Sequence, residues 1–229
     1  AGSVATPYLR LDLGRVQASI DAMAARARTL GVTLRPHAKT HKSVRVARQQ
    51  LAAGAVGLTV ATVAEAEVFA AGGCTDLFIA YPLWVDAAKA RRIAAVRAQA
   101  RVAIGVDSTA SLDAMSAHGI RPEVVVEVDS GHHRSGVAPE AAGLIGRYAA
   151  DAGFVVRGAF TFPGHSYNPA TRASAALDEA RALAAAAESL AGQGLSAQVR
   201  SGGSTPSAQF AVGNAGGSTG GGLTELRPG

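Results

Sequence analysis

Short apolar, β-branched segments alternate with alanine-rich segments along almost the whole chain, and this alternation restricts the possible folds most strongly. Apolar runs without a polar face predict strands buried on both sides, which are typical of parallel sheets covered by helices. The predicted strands are 8–13, 32–37, 57–62, 77–80, 102–106, 124–128, 155–160, 197–200 and a last one near 223–227. The predicted helices between them are 16–30, 43–53, 64–71, 85–99, 108–118, 139–152 and 174–193.

About eight strand–helix repeats in 229 residues favour an α/β fold of one type, the closed (β/α)8 TIM-type barrel. An open doubly wound sheet is the alternative, because periodicity alone does not show closure. We interpret residues 1–229 as one barrel domain that carries a glycine-rich loop at 213–222. The chain stops at Arg227-Pro228-Gly229, which reads like the lead into another element. We therefore expect this sequence to be a piece of a longer protein.

Charge and composition narrow the range of partners. The formal net charge is +5, and most of the positive charge comes from arginines scattered through predicted helices. A nucleic-acid groove interleaves basic residues with aromatic ones, and only 5% of these residues are aromatic. We expect an anionic small ligand and neither nucleic acid nor a membrane. The single cysteine, Cys74, and the absence of an apolar leader in the printed sequence favour a cytoplasmic protein.

Four polar segments each follow a predicted strand. They are 37–42, 129–136, 163–167 and 201–206. In a barrel, the loops that follow the strands surround the carboxyl-end mouth, where active sites are built. We therefore expect the four segments to form one site.

The first segment contains two lysines that compete for one chemical role. If residues 35–39 are extended, Lys39 shares a face with His37 and points away from Ala38. A lysine whose pKa is lowered by neighbouring cations forms a Schiff base with an aldehyde cofactor readily. Lys42, nearer the start of the next helix, is interpreted as solvated. The alternative for Lys39 is an ordinary surface lysine in a basic loop.

The other segments offer groups that bind anions and polar atoms. Glycines before Ser204 and Thr205 let backbone N–H groups approach a phosphate, and the two hydroxyls add donors. Arg134, in a tight glycine-flanked loop, is suited to a phenolate or carboxylate oxygen, or alternatively to an ion pair with Asp129.

The histidines and the tyrosine of these segments have two possible interpretations each. His165 and Tyr167 are candidates for contact with cofactor or substrate, although an exposed loop tyrosine is a fair alternative. The paired histidines at 132–133 lack partners at metal-binding spacing, so we expect no metal site from these residues alone.

Five segments in this order resemble the D-threonine aldolase / D-serine dehydratase family, which are fold-type III pyridoxal-phosphate enzymes related to alanine racemase. The segments are R-P-H-A-K-T-H-K, V-D-S-G-H-H-R-S-G-V, F-P-G-H-S-Y, S-G-G-S-T-P and T-E-L-R-P-G. The resemblance implies that Lys39 forms the Schiff base with pyridoxal phosphate and that Arg134 lies near the 3-oxygen of the cofactor. It further implies that the cofactor ring and phosphate are bound by His165, Tyr167, Gly202, Gly203, Ser204 and Thr205.

The resemblance also sets expectations about activity. It implies a lyase that acts on D-3-hydroxy amino acids, with D-threonine aldolase favoured over D-serine dehydratase. Phe160 stands where dehydratase-type relatives tend to carry a tyrosine. Relatives continue into a C-terminal β domain that supplies a divalent metal site (Mn, Mg or Zn), and they suggest a homodimer at full length. A non-catalytic pyridoxal-phosphate carrier is the competing interpretation.

Overall fold

The structure is a computed structural model that describes residues 5–8, 10–213 and 222–229. Within these residues, strands β1 to β8 are Thr33–Leu34, Leu58–Val60, Asp76–Pro82, Arg101–Val106, Glu123–Glu127, Val155–Phe160, Val199–Gly202 and Glu225–Leu226. Helices α1 to α7 are Leu13–Leu30, Val44–Ala52, Val63–Ala71, Ala87–Arg97, Thr109–Ala117, Ala142–Asp151 and Arg172–Gly192. Short 3-10 turns lie at Pro139–Ala141, Gly164–Tyr167, Pro169–Thr171 and Ala208–Phe210.

The sheet closes into a barrel. All eight strands pair in parallel in the order β1-β8-β7-β6-β5-β4-β3-β2. The gap between β1 and β2 is bridged just beyond β1, where His37 pairs with Thr59. The Thr59 N–H donates to the Pro36 carbonyl and the Ala38 N–H donates to the Thr59 carbonyl, both at 2.8 Å. The predicted (β/α)8 barrel is therefore confirmed, and the open doubly wound sheet is wrong.

Two hydrophobic cores lie on the two sides of this sheet. The outer core fills the space between strands and helices and includes Leu58, Ile79, Ile104 and Leu183, all completely buried. The inner core fills the barrel interior and consists of Phe78, Ala80, Ala103, Val125 and Phe160. Since alternate residues of each strand face opposite sides, every second strand residue is available to line the barrel interior.

The amino-terminal end of the barrel is closed by charged residues rather than apolar ones. The Arg35 guanidinium lies between two carboxylates, with Nε 2.7 Å from Glu225 Oε2 and Nη1 2.7 Å from Asp76 Oδ1. Arg35 and Glu225 are both buried. This ion-paired floor, formed by Arg35, Asp76 and Glu225, leaves the carboxyl-terminal end as the open mouth.

The strand predicted at 8–13 is wrong. The described residues of this segment form no strand, and Leu13 begins α1. The Asp12 side chain accepts a hydrogen bond from the Arg15 N–H at 3.1 Å and so caps this helix. Leu11 and Leu13 are exposed, so the apolar residues that suggested a strand have no core to enter. The same capping chemistry begins four further helices, at Ser43, Thr62, Asp86 and Ser108.

The predicted glycine-rich loop at 213–222 lies outside the described residues except at its two ends. Gly213 forms a bridge with Leu223, so the ends of this segment lie side by side. In the described part of the chain, no helix combines the length and apolar character needed to cross a membrane.

Candidate functional site

A cavity of about 510 Å³ opens at the carboxyl-terminal mouth of the barrel. This volume falls within the range of sites that bind small molecules. Three of the four predicted polar segments line it, namely those at 37–42, 163–167 and 201–206, together with the end of the chain beyond β8. Its charged lining consists of Lys39, Arg172 and Arg227, and no carboxylate of the described residues lines it. An anionic ligand is therefore favoured.

The segment after β1 stays extended only as far as His37 and turns at residues 38–41, so the expected extension through Lys39 is wrong, although His37 and Lys39 both line the cavity. Arg35 belongs to the barrel floor, His37 lines the cavity, and Lys39 lines it one step higher. Ala38 between them is completely buried in the outer core. The Lys39 N–H donates to Nδ1 of His37 at 3.4 Å, so the histidine also fixes the backbone that carries the lysine.

Lys39 is an exposed residue whose side chain lines the cavity. Its Nζ lies 5.5 Å from the centre of the Phe162 ring. Burial, with the positive charges of Arg134 and Arg227, lowers the pKa of Lys39, and Glu65 opposes that effect. Lys42, by contrast, has a side chain that is 70% exposed and an ion pair with Glu65 at 3.2 Å. Lys39 is therefore the lysine that lines the cavity, and the interpretation of Lys42 as solvated is confirmed.

Arg134 lies beside the cavity and is held by aromatic rings. Its guanidinium carbon is 5.1 Å from the centre of Phe162 and 5.6 Å from that of Tyr81. Its Nη2 is 3.7 Å from Oε1 of Glu127, a buried carboxyl at the end of β5. Stacking against two rings leaves the planar fork of the guanidinium free to bind an oxygen atom. Phe162 thus separates and contacts both Lys39 and Arg134.

The alternative ion pair between Arg134 and Asp129 is wrong. Asp129 Oδ1 accepts three backbone hydrogen bonds, from residues 131 to 133, at 2.9–3.0 Å. Its Oδ2 lies 2.6 Å from Nδ1 of His133. Both oxygens of the Asp129 carboxylate therefore bind groups of its own loop, and Arg134 forms no ion pair with it.

The glycine turn after β7 presents hydroxyl groups to the cavity. Gly203 adopts a φ of 91°, a left-handed conformation that favours glycine. Ser204 lines the cavity, and its hydroxyl lies 2.8 Å from that of Ser166 and 2.9 Å from that of Ser207. Thr205 also lines the cavity, and its hydroxyl bonds the backbone of Gly229. Gly202 and Gly203 shape the turn without lining the cavity.

His165 and Tyr167 take different positions. Tyr167 lines the cavity at its rim, with a side chain that leaves it 65% exposed. His165 does not line the cavity. Its Nε2 is 3.4 Å from Asp178 Oδ2, and its ring faces Gly131. The structure therefore brings Lys39, Tyr167 and the glycine turn together around the cavity, whereas His165 lies outside the cavity lining.

Sequence reasoning missed three residues of the cavity wall. Phe162 is the ring shared by Lys39 and Arg134. Arg227 is buried beneath the cavity, stacked 5.2 Å from the centre of Phe160, and its Nε is buried without a hydrogen-bond partner among the described residues. The Nε of Arg172, the first residue of α7, is likewise buried and unpartnered in the described part of the chain. These three residues belong to the site because of neighbours that are distant in the sequence, so no local sequence pattern identifies them.

Glu179 is a fourth residue that sequence reasoning missed. It is completely buried on α7, where its Oε1 accepts a hydrogen bond from the Gly203 N–H. Burial raises the pKa of Glu179 to about 7, an effect opposed by the Gly203 hydrogen bond and by Arg227. The sequence feature that could have identified Glu179 is an acidic residue on the alanine-rich face of a long helix. Within the described ranges, no cluster of three histidine, cysteine or acidic side chains is arranged to hold a metal ion.

Comparison with known proteins places this geometry in a family. The family model described as alanine racemase, N-terminal domain, matches residues 11–229. The D-threo-3-hydroxyaspartate dehydratase of Delftia sp. (strain HT23) is 40% identical over 237 residues, which cover 98% of this chain and 60% of that protein. The D-threonine aldolase of an Arthrobacter species is 36% identical, over 90% of this chain and 57% of that protein.

A solved structure gives the same result. The crystal structure of D-threonine aldolase from Filomicrobium marinum superimposes with a TM-score of 0.88 at 33% identity, covering 99% of this chain and 62% of that one. The chain thus spans about 60% of the length of these characterised relatives. Because the family model matches nearly the whole sequence, the chain belongs to the alanine racemase N-terminal domain family.

Proposed function

We propose that this protein binds pyridoxal phosphate covalently through Lys39 and acts as a lyase on D-3-hydroxy amino acids. The observation that supports this most strongly is the position of the Lys39 amine in a cavity that is lined by cations. Relatives named as a D-threo-3-hydroxyaspartate dehydratase and a D-threonine aldolase support the substrate class.

The cavity carries the positive charge that an anionic aldehyde such as pyridoxal phosphate requires. Its cationic lining, without a carboxylate among the described residues, favours a phosphate. The hydroxyl groups of Ser204 and Thr205 lie on the wall where the glycine turn approaches the cavity. We propose that this turn, with Arg172 beside it, holds the phosphate. Arg227 would direct its unpartnered Nε toward an acceptor atom of the ring.

Lys39 is suited to attack an aldehyde because its environment favours the neutral amine. Burial and the nearby cations Arg134 and Arg227 lower its pKa, so a larger fraction of the amine is unprotonated near neutral pH. His37 stays neutral beside it, since burial and the neighbouring charges lower the pKa of His37 to about 3. A neutral imidazole accepts the Lys39 N–H without adding another cation to the site.

Arg134 would hold an anionic oxygen of the cofactor or of the substrate. The Tyr81 and Phe162 rings fix the plane of its guanidinium, and Glu127 lies far enough away, at 3.7 Å, not to occupy its full fork. Phe162 contacts both Arg134 and Lys39.

When bound, pyridoxal phosphate supplies an electron sink for bonds broken at the α-carbon of an amino acid. An aldolase breaks the Cα–Cβ bond after the β-hydroxyl loses its proton, and D-threonine then gives glycine and acetaldehyde. A dehydratase removes the α-proton and the β-hydroxyl, and D-serine then gives pyruvate and ammonia. We propose the aldolase reaction on the basis of Phe160, with dehydration as the alternative supported by the 40% identical relative. The divalent metal expected from the resemblance stays a prediction.

The cofactor proposal is tested by trapping the lysine. We expect purified protein incubated with pyridoxal phosphate to develop a visible absorbance band that borohydride removes. Mass spectrometry of the reduced protein should place a pyridoxyl group on Lys39. Lys39→Ala should abolish the adduct, whereas Lys42→Ala, a matched change three residues away, should keep it. An adduct that survives Lys39→Ala would overturn the proposal.

The reaction proposal is tested by product analysis. The protein is incubated with pyridoxal phosphate and D-threonine, D-serine or D-threo-3-hydroxyaspartate, with and without a chelator. Glycine and an aldehyde indicate the aldolase, and a 2-oxo acid with ammonia indicates the dehydratase. A protein that forms the Lys39 adduct yet yields neither set of products is a carrier, which would contradict the lyase proposal.

A further inference from the structure

Glu179 is a buried acidic residue that the proposed chemistry does not use. The face of α7 that carries it is otherwise made of small and apolar residues, namely Ala175, Ala176, Ala182, Leu183 and Ala186. Burying a carboxyl among such residues costs free energy unless it makes compensating interactions. Its presence therefore calls for a local partner.

That partner is the glycine turn, which Glu179 supports from the helix side. Its Oε1 accepts the hydrogen bond of the Gly203 N–H. At Gly202 a Cβ atom would lie 2.3 Å from the same oxygen, so only glycine lets the carboxyl approach this closely. Because Ser204 follows directly and lines the cavity, Glu179 fixes the backbone that presents the hydroxyls to the ligand.

The second carboxyl oxygen has no hydrogen-bond partner. Oε2 of Glu179 is buried and unpartnered among the described residues. The charged group that acts on it is Arg227, which lies at the end of β8 and lines the cavity. The other charged residues near it on α7, Asp178 and Arg181, have partly or largely exposed side chains and pair with each other at 3.7 Å. The charge of Glu179 is therefore felt mainly at the turn and at Arg227.

We propose that Glu179 is a positioning residue of the anion site, which holds the turn at 202–205 for phosphate binding in its neutral, protonated form. A carboxylate at the same place would repel the phosphate that the turn holds. Burial raises the pKa of Glu179 to about 7, so the group changes charge near neutral pH. The inference rests on the proposed function, since the phosphate of the cofactor is the anion concerned.

The consequence is a phosphate affinity that depends on pH through one side chain. If binding requires protonated Glu179, the apparent Kd is multiplied by the factor 1 + 10^(pH − 7). The factor is close to one at about pH 6 and about ten at about pH 8. At the higher pH the wild-type protein should therefore bind about tenfold more weakly than a variant whose residue 179 cannot ionise.

Pyridoxine 5′-phosphate is the probe, because it lacks the aldehyde and cannot react with Lys39. Its Kd is measured by calorimetry at both pH values, with pyridoxine as the ligand without phosphate. Glu179→Gln keeps the shape and an acceptor oxygen but cannot ionise, so its Kd should lose the tenfold dependence. Its Kd should equal that of the wild type at about pH 6 and be about tenfold lower than that of the wild type at about pH 8, a comparison at equal pH that cancels the ionisation of the probe's own phosphate. Glu188→Gln, an exposed change on the same helix, should behave like the wild type.

The outcomes separate this inference from the proposed function. If the wild type binds the probe and Glu179→Gln keeps the same pH dependence, Glu179 is a structural residue only and the inference is overturned. If the folded wild type does not bind the probe at either pH, the proposed cofactor site fails and the inference fails with it. Loss of the dependence in Glu179→Gln for pyridoxine 5′-phosphate, but no such change for pyridoxine, supports the inference.

Discussion

His37 and Glu179 make opposite contributions to the pH dependence of stability. Burial and nearby cations lower the pKa of His37 from 6.5 to about 3, so its protonation favours the unfolded chain. Its contribution to stability is complete above pH 6.5 and is lost as the pH falls toward 3. Burial raises the pKa of Glu179 from 4.5 to about 7, so its contribution is complete below pH 4.5 and is lost as the pH rises through 7.

The two contributions nearly cancel in the wild type. One pKa unit corresponds to about 1.4 kcal/mol. Between about pH 7.5 and about pH 5, His37 should remove about 2 kcal/mol of unfolding free energy, and Glu179 should add about 2 kcal/mol. A variant that lacks only one of the two groups should therefore show a change of unfolding free energy with pH that the wild-type protein does not show. His37→Asn should make the protein more stable at the lower pH relative to the higher one, and Glu179→Gln should do the reverse.

The assay is urea unfolding of each variant at the two pH values, with the difference between them as the readout. That difference removes any constant loss of packing caused by the substitution. Exposed His118 provides the control, and His118→Asn should keep the wild-type difference. If both His37→Asn and Glu179→Gln also keep it, the reasoning from burial to pKa is refuted.

Three further predictions concern the floor, the interior and the wall of the barrel. Arg35→Met leaves two carboxylates without their shared guanidinium and should lower the urea-unfolding free energy by about 3–5 kcal/mol, against at most about 1 kcal/mol for exposed Arg92→Met. A loss no larger than that of Arg92→Met would contradict the assignment of a buried network. Gly105→Ala places a methyl group 2.7 Å from the Phe160 ring and should cost about 1–3 kcal/mol of unfolding free energy, and an unchanged melting temperature would refute this. Arg172→Gln should weaken pyridoxal-phosphate binding about tenfold in an absorbance titration, and an unchanged Kd would show that this cation does not face the phosphate.

The sequence predicts the barrel and the position of Lys39 at the cavity well, because both follow from residue patterns that extend over only a few positions. His37 and Lys39 both line the cavity and Ala38 is buried in the outer core, as expected, although a turn at residues 38–41 rather than an extended segment produces this arrangement. The strand at 8–13 fails because the same apolar residues are compatible with the start of a helix. There the Asp12 side chain, which caps the first turn, decides the outcome.

The remaining site residues could not be predicted, because their environments come from distant parts of the chain. Arg227 belongs to the site because β8 lies between β1 and β7, a placement that no local pattern encodes. Phe162 matters because two cations from other loops contact its ring. Arg134 was open to an ion pair with Asp129 because proximity in sequence does not show that the Asp129 oxygens are already occupied.

Pairing of β8 with β1 joins the two ends of the chain, as the Arg35–Glu225 contact illustrates with partners 190 positions apart. Such distant pairings form late, because their loop-closure entropy must be overcome before they contribute. Burial and Arg134 lower the pKa of Lys39, and Arg227 adds to this effect but arrives only with β8. A nascent chain still lacking β8 therefore lacks one of the charges that lower the pKa of Lys39.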